Sequence, residues 1–277
     1  MNPNKTVIVI LFFIFINGIV SGQELVKVWE SRPVFQVPES VLYDPVSGNI
    51  FVSNIQGSPA EKDGKGFISV IDIQGNVKKL NWVSGLNAPK GMAVYSGNLF
   101  VADVDALVEI NIAKAEIVKR YPVKNAAFLN DVAAGQDGMI FVSDTQTGKI
   151  HVLNNGRMEE LPLEPIRNAN GLFVSGKKLY IGSEKIQVMD IKTKKLTVLL
   201  NNAGDGIDGL ELLGDGNFLF SHWAGRIFIM KGNKLKKLLD TSAKGINSAD
   251  ICFVKDRQLV LVPTFMDNRV VAYRLTK

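Results

Sequence analysis

Six polar residues recur along the chain at nearly regular spacing, and most are of the types that bind hard metal ions. Each opens a short apolar segment, and the six are Glu39, Lys90, Asp131, Asn170, Asp208 and Asp250. The successive intervals are 51, 41, 39, 38 and 42 residues. Carboxylates that converge in a partly dry site repel one another, and a divalent cation with oxygen ligands relieves that repulsion. The spacing therefore predicts a cation site, provided that the fold brings these residues together.

The segments that follow these residues repeat one pattern of secondary structure. An apolar run is followed by a turn rich in Gly, Asn and Asp, then by a second apolar run that ends in a small polar residue, and then by further short β-rich runs. Four short strands in about 40 residues, repeated, are typical of a propeller blade. No segment after residue 22 has a convincing 3.6-residue apolar period. We therefore predict an all-β, six-bladed β-propeller with four antiparallel strands per blade.

The ring needs a closing strand, and residues 25–31 (LVKVWES) are suited to supply the outer strand of the last blade. With each repeat starting at the innermost strand, the six opening residues share one face of the propeller with the returning loops. Those loops carry Asn54, Asp103, Asp144, Glu184, His222 and Asp267. One rim of the central channel is thus expected to collect the polar chemistry.

The first 22 residues have the layout of a secretory signal peptide. Lys5 precedes an apolar run over residues 7–20, and Val20, Ser21 and Gly22 offer a cleavage site before Gln23. An uncleaved anchor is the alternative. We predict one mature domain over residues 23–277 that is exported, either periplasmic or secreted, with no stable membrane insertion after cleavage.

Composition excludes several kinds of site. A single cysteine, Cys252, allows neither an internal disulfide nor a cysteine-rich zinc site, and two histidines cannot form a three-histidine site. The formal net charge is +5. The densest lysine clusters alternate with apolar residues near turn signals, as solvated hairpins do. We expect a monomer that binds a small-molecule substrate and no nucleic acid.

Four short motifs resemble, in chain order, those of the gluconolactonase/regucalcin (senescence marker protein) family of six-bladed propeller hydrolases. They are Glu39 in VPESVLYDP, Asn130-Asp131 in FLNDVAAGQDG, Asn170-Gly171 in NANGLFV and Asp208-Gly209 in GIDGLELLGDG. Each dipeptide alone is a weak signal, but four in register are more specific. The resemblance spans the whole mature chain.

The resemblance implies one divalent cation held by Glu39, Asn170 and Asp208, with Ca²⁺ as the first choice and Mg²⁺, Mn²⁺ or Zn²⁺ as alternatives. Asp208 would also be the catalytic base that activates water, and Asn130 would orient the substrate. The implied reaction is hydrolysis of a lactone-like or small ester substrate. We expect four further residues in substrate binding, and these are Lys90, Asp131, His222 and Asp250.

The chain also departs from the family pattern. Phe128 and Leu129 stand where sugar-lactone members carry an arginine, Val132 replaces a glycine, and Lys90 brings a cation toward the metal neighbourhood. These departures leave two alternatives open. One is a non-catalytic propeller that binds a small ligand, glycan or peptide on the same rim. The other resembles antibiotic-opening propeller lyases, which depend on a catalytic histidine that only His222 could supply.

Overall fold

The computed structural model describes residues 22–214 and 216–276, which form a ring of six four-stranded antiparallel sheets. The prediction of a six-bladed β-propeller is confirmed. The predicted signal peptide lies, except for Gly22, outside the described residues. Among the residues described, no helix is long and apolar enough to cross a membrane.

In blades one to five the strands run from the channel outwards in chain order. Blade one contains β2 (Pro38–Asp44), β3 (Asn49–Asn54), β4 (Gly66–Ile71) and β5 (Val77–Leu86). Blade two contains β6 (Pro89–Tyr95), β7 (Asn98–Asp103), β8 (Ala106–Asn111) and β9 (Glu116–Pro122). Blade three contains β10 (Leu129–Ala134), β11 (Ile140–Asp144), β12 (Lys149–Asn154) and β13 (Arg157–Glu160).

The remaining blades repeat this order. Blade four contains β14 (Leu172–Ser175), β15 (Lys178–Gly182), β16 (Ile186–Asp190) and β17 (Leu196–Leu200). Blade five contains β18 (Leu210–Gly214), β19 (Asn217–His222), β20 (Arg226–Lys231) and β21 (Lys234–Asp240). Blade six contains β22 (Cys252–Val254), β23 (Leu259–Pro263), β24 (Val270–Leu275) and the N-terminal β1 (Leu25–Glu30). Three short 3₁₀ turns lie at Ser242–Lys244, Lys255–Arg257 and Phe265–Asp267.

The ring closes as predicted, because β1 pairs antiparallel with β24 as the outer strand of blade six. Leu25 lies opposite Leu275 at one end of this ladder. The Trp29 indole nitrogen donates a hydrogen bond of 3.0 Å to the Ile73 carbonyl in blade one. Pairing of the two ends of the chain within blade six thus closes the ring between the last blade and the first.

The hydrophobic core lies between neighbouring blades. Between blades three and four, for example, Phe141, Leu179 and Ile181 are fully buried in one apolar cluster. The middle strands are buried on both faces and read as continuous apolar runs, whereas outer strands such as β21 are charged and exposed. Burial of apolar surface between blades therefore stabilises the ring that carries the channel.

The inner strands carry a register irregularity where the predicted site residues lie. The pairing shifts between Pro38 and Val41 in blade one, and at the equivalent positions in blades two and three. Two successive residues in each of these three inner strands, such as Glu39 and Ser40 in blade one, therefore lie outside the regular ladder. The usual alternation of successive side chains between the two faces of a strand therefore does not hold at these positions.

Register divides the channel residues into two layers. The upper layer consists of Glu39, Lys90, Asn130, Asn170, Asp208 and Ala249. The lower layer consists of Ser40, Gly91, Asp131, Gly171, Gly209 and Asp250. Ala249 takes the sixth upper position because its amide donates to Pro263, as those of Asn170 and Asp208 donate to Gly182 and Ser221.

Glycine follows three of the upper-layer residues because the neighbouring inner strand passes very close. A Cβ on Gly91 would lie 2.6 Å from the Asp131 Cα, and one on Gly171 would lie 2.6 Å from the Asp208 carbonyl oxygen. A Cβ on Gly209 would collide with the Ile251 backbone nitrogen. The Asn-Gly and Asp-Gly pairs thus have a packing reason that is independent of any chemistry.

Candidate functional site

One end of the channel opens into a cavity of about 460 Å³, and the five polar residues of the upper layer line its floor. The structure brings Glu39, Lys90, Asn130, Asn170 and Asp208 together there. Each lies at or just before the start of an inner strand, so the backbone of five blades positions these five side chains around one axis.

The predicted metal ligands include acceptor oxygens that have no hydrogen-bond partner. The Asn170 Nδ2 group donates a hydrogen bond of 2.8 Å to Asp208 Oδ1. The Asn170 Oδ1 atom and the Glu39 Oε2 atom are buried and unpartnered within the described chain. Because buried polar atoms without partners are rare and costly, these two oxygens fit the requirements of an oxygen-coordinated cation.

The electrostatics of the floor also fit a cation. Burial raises the pKa of Asp208 to about 7, against the hydrogen bond from Asn170, which lowers it. Burial raises the pKa of Glu39 well above its ordinary value, and the neighbouring Asp208 carboxylate raises it further while Lys90 lowers it. The ionised forms of these two acids are therefore disfavoured unless positive charge enters the floor.

Lys90 supplies one buried positive charge. Its side chain is 1% exposed, and its Nζ donates a hydrogen bond of 2.9 Å to the Ala88 carbonyl and lies 4.4 Å from the centroid of the Phe128 ring. No carboxylate oxygen of the described residues lies within 4.0 Å of this Nζ. Burial lowers the pKa of Lys90 to about 8, an effect that Glu39 and Asp103 oppose.

Asn130 is held by a short chain of hydrogen bonds. Its Nδ2 donates to Thr145 Oγ1 at 3.0 Å, and the Thr145 hydroxyl donates to the Ala169 carbonyl at 2.8 Å. The sequence analysis did not single out Thr145. Its position directly after Asp144, where the second strand of a blade returns to the site face, is the signal that could have identified it.

Asp131 and Asp250 lie in the lower layer, so the expected single ring of six polar residues is wrong. Neither lines the cavity above the floor. Both line a second cavity of about 210 Å³ on the other side of the layers, together with Glu211 and Cys252. Each of these two aspartates lies one residue further along the chain than the upper-layer residue of its own blade, which is Asn130 in blade three and Ala249 in blade six.

Each lower-layer aspartate is tied to the scaffold. The two Asp131 carboxylate oxygens accept hydrogen bonds from the Val132 and Leu172 amides at 2.6 and 2.5 Å. The Ser40 hydroxyl donates to Asp250 Oδ2 at 2.6 Å. Burial raises the pKa of Asp131 to about 7 and that of Asp250 well above its ordinary value. These contacts join inner strands of neighbouring blades.

His222 does not line the cavity. It is 2% exposed, and its ring centroid lies 5.5 Å from that of Phe220 and 4.8 Å from that of Phe228. Burial lowers its pKa, and neither ring nitrogen has a hydrogen-bond partner among the residues described. The expectation of an accessible rim histidine is therefore corrected, because the side chain points into blade five.

The loop residues expected on the rim include backbone caps. Asp103 accepts hydrogen bonds from the Asn87 and Ala88 amides at 2.8 to 3.0 Å and is also paired with Arg120. Asp144 is fully buried and accepts four amide hydrogen bonds, two from the loop that enters blade three and two from the turn that joins β11 to β12. These two carboxylates order the loops that lead into the site.

The cavity wall above the floor is largely apolar, which the sequence analysis missed. It includes Ile55, Pro59, Trp223, Phe265 and Met266, of which Pro59, Trp223 and Met266 are exposed at the mouth. The Trp223 and Phe265 rings meet edge to face with centroids 5.5 Å apart. Pro59 belongs to the insertion over residues 57–66, and Lys62 of that insertion pairs with Asp105 in the next blade. The insertion thus borders the site.

The side chains that could bind a metal ion in this cavity offer only oxygen ligands. No group of three or more His, Cys, Asp or Glu side chains within residues 22–214 and 216–276 is arranged to hold a metal ion. The predicted ligand set consists of two carboxylates, from Glu39 and Asp208, and the side-chain amide oxygen of Asn170. Such an all-oxygen set suits Ca²⁺ or Mg²⁺ better than Zn²⁺.

The comparisons with known proteins agree with the fold. No family model and no curated protein sequence matches the chain. Among solved structures, it is similar to a catalytically inactive variant of virginiamycin B lyase from Staphylococcus aureus bound to quinupristin, with 13% identity and a TM-score of 0.63. That match covers 92% of this chain and 99% of the lyase.

Two further structures show the same architecture. A streptogramin B lyase matches with 13% identity and a TM-score of 0.64, over 92% of this chain and 98% of the lyase. The WD40 β-propeller domain of Doa1 matches with 13% identity and a TM-score of 0.64, over 86% of this chain and 78% of that domain. At such low identity these similarities establish that the chain has the β-propeller fold, which hosts enzymes and binding modules alike.

Proposed function

We propose that the protein is a divalent-metal-dependent hydrolase of lactone-like or small ester substrates, as its resemblance to the gluconolactonase/regucalcin family implies. The observation that carries the proposal is the pair of buried, unpartnered oxygens, Glu39 Oε2 and Asn170 Oδ1, beside Asp208 in one cavity. Glu39, Asn170 and Asp208 would hold the ion. Ca²⁺ is the first choice, with Mg²⁺, Mn²⁺ and Zn²⁺ as alternatives.

The bound ion would polarise the substrate carbonyl as a Lewis acid. Asp208 acts as the base: its carboxylate takes a proton from water as the oxygen attacks the carbonyl carbon, and the proton passes to the leaving alkoxide when the C–O bond breaks. The Lys90 ammonium donates to the oxyanion, and the Asn130 amide orients the substrate.

Ion binding and turnover measured together test this proposal. Calorimetry on the purified protein with each of the four cations, beside hydrolysis of a lactone panel, is expected to find one bound ion. Asp208→Asn is isosteric and should lose most of the ion affinity and at least about 100-fold in kcat. Asp137→Asn alters an exposed turn aspartate and is the matched control. Full turnover by Asp208→Asn would refute the assigned base.

Lys90 favours a second candidate, a non-catalytic propeller that binds a small ligand in the same cavity. A buried ammonium already supplies positive charge beside Glu39, and it could take the place of an ion. Ligand binding with neither ion binding nor hydrolysis would support this candidate. A lyase that acts through His222 gains no support, because His222 is outside the cavity.

The proposal includes export, on the basis of the signal-peptide layout of residues 1–22. N-terminal sequencing of the protein recovered from an expressing cell is expected to begin at Gln23. Recovery of an intact leader in the membrane fraction would support the uncleaved anchor instead. Light scattering tests the expected monomer.

A further inference from the structure

The cavity of the proposed active site has a polar floor and an apolar mouth, and the mouth exposes large side chains. Trp223 is 48% exposed and Met266 is 62% exposed, although both line the cavity. Aromatic rings and methionine form adaptable apolar contact surfaces. Grouped exposure of such side chains at a cavity mouth is typical of a surface that a ligand covers.

The polar side chains on the wall are few, and each already makes at least one hydrogen bond within the protein. Asp205 accepts a hydrogen bond of 2.6 Å from Arg226, and the Asn168 amide donates one of 3.2 Å to Glu184. The Thr145 hydroxyl is engaged between Asn130 and the Ala169 carbonyl. A polyhydroxylated sugar lactone would therefore have to place several hydroxyl groups against a wall with few available partners, which is costly.

We propose that the substrate carries a hydrophobic alkyl or aryl group, so that its carbonyl end reaches the floor and its apolar body packs on Trp223, Phe265 and Met266. The lactone or ester character of the carbonyl end rests on the proposed function, whereas the apolar body rests on the wall alone. The site thus discriminates against sugar lactones and in favour of hydrophobic ones.

Chain-length dependence tests the inference. A series of γ-lactones with alkyl side chains of increasing length, with gluconolactone as the polar comparison, is assayed for kcat/KM. Each added methylene is expected to raise kcat/KM about fourfold until the cavity is filled. The matching γ-lactams resist hydrolysis. Their binding, followed by Trp223 fluorescence and calorimetry, therefore measures contact with the apolar wall in the absence of turnover.

Two variants at residues of similar exposure distinguish an effect of the cavity wall on binding from a general effect of changing an exposed apolar side chain. Met266→Ser is expected to weaken binding of the longest lactam about tenfold and to leave the unsubstituted lactam unchanged. Val118→Ser, on the outer strand of blade two and 57% exposed, should change neither. Trp223→Phe identifies which of the three tryptophans reports binding.

The outcomes distinguish the two proposals. Lactam binding that grows with chain length, without hydrolysis of any lactone, would support the apolar body and overturn the hydrolase. Hydrolysis that prefers gluconolactone, or that is flat along the alkyl series, would support the hydrolase and overturn the apolar body. Absence of both hydrolysis and binding would overturn both.

Discussion

The Lys90 ammonium lies 4.4 Å above the centroid of the Phe128 ring, at the junction between the polar floor and the apolar wall. Phe128 stands where the sugar-lactone members of the resembled family carry an arginine. Its ring faces the cation with π-electron density and offers no hydrogen bond to a ligand. The Lys90 ammonium makes one hydrogen bond within the described chain, to Ala88, which leaves part of its donor capacity for a substrate oxygen.

Lys90→Met tests whether this ammonium competes with the ion. Methionine keeps much of the volume and removes the charge, so divalent-cation affinity is expected to rise about tenfold, since two cations near one floor repel. In the same variant kcat should fall by about 100-fold because the oxyanion loses a donor. Calorimetry and steady-state kinetics measure the two effects. Unchanged ion affinity would contradict the expected competition.

Glu211→Gln tests whether the Glu211 carboxyl, in the second cavity, makes stability depend on pH. Burial, aided by Asp131, raises the pKa of Glu211 to about 8 from an ordinary 4.5. The folded state then holds a proton that the unfolded state has lost, so the free energy of unfolding falls as pH rises from about 4.5 to about 8. The slope from this group is at most about 1.4 kcal/mol per pH unit.

Urea unfolding between pH 5.5 and 8 measures this slope. Glu211→Gln keeps an acceptor for the Phe253 amide, which donates to Glu211 at 2.9 Å, and should flatten the decline. Glu159→Gln changes an exposed glutamate on β13 and should leave the decline as it is. Equal slopes for the native protein and Glu211→Gln would rule out the buried carboxyl as the cause.

Gly209→Ala tests the close approach of the inner strands. The added Cβ would meet the Ile251 backbone and lie 2.8 Å from Asp250 Oδ1. Backbone cannot move aside cheaply, so we expect a loss of about 2 kcal/mol in the free energy of unfolding. Gly232→Asn, in an open turn at φ 56°, is the control, and its expected loss in the free energy of unfolding is only a few tenths of the loss in Gly209→Ala. Similar losses in both variants would argue against a packing role.

Asp144→Ala tests whether rim carboxylates act as caps. Its carboxylate accepts the amide hydrogen bonds of Ala127, Phe128, Gln146 and Thr147. Removing these acceptors is expected to cost about 3 kcal/mol in thermal or urea unfolding. Asp137→Ala, in an exposed turn, should have little effect. A loss of activity at full stability would instead indicate a direct chemical role for Asp144.

The repeat of turn residues and apolar runs was enough to predict the blades and the closing strand. These features depend on local chemistry: Gly, Asn and Asp favour hairpin turns, and short apolar runs need partners on both sides. The convergence of Glu39, Lys90, Asn170 and Asp208 follows from the same repeat, because equivalent positions in successive blades meet around one axis. In blade three the repeat predicted Asp131 at this position, and the structure places Asn130 there.

Only the tertiary structure decided which polar residues share a layer and which face they serve. Strand pairing places Asp131 and Asp250 one residue beyond the upper layer, and the spacing of polar residues along the sequence does not reveal this offset. His222 was expected on the rim, but two phenylalanines of its own blade enclose it. The apolar mouth gathers side chains from separate loops, so it exists only when the ring has closed.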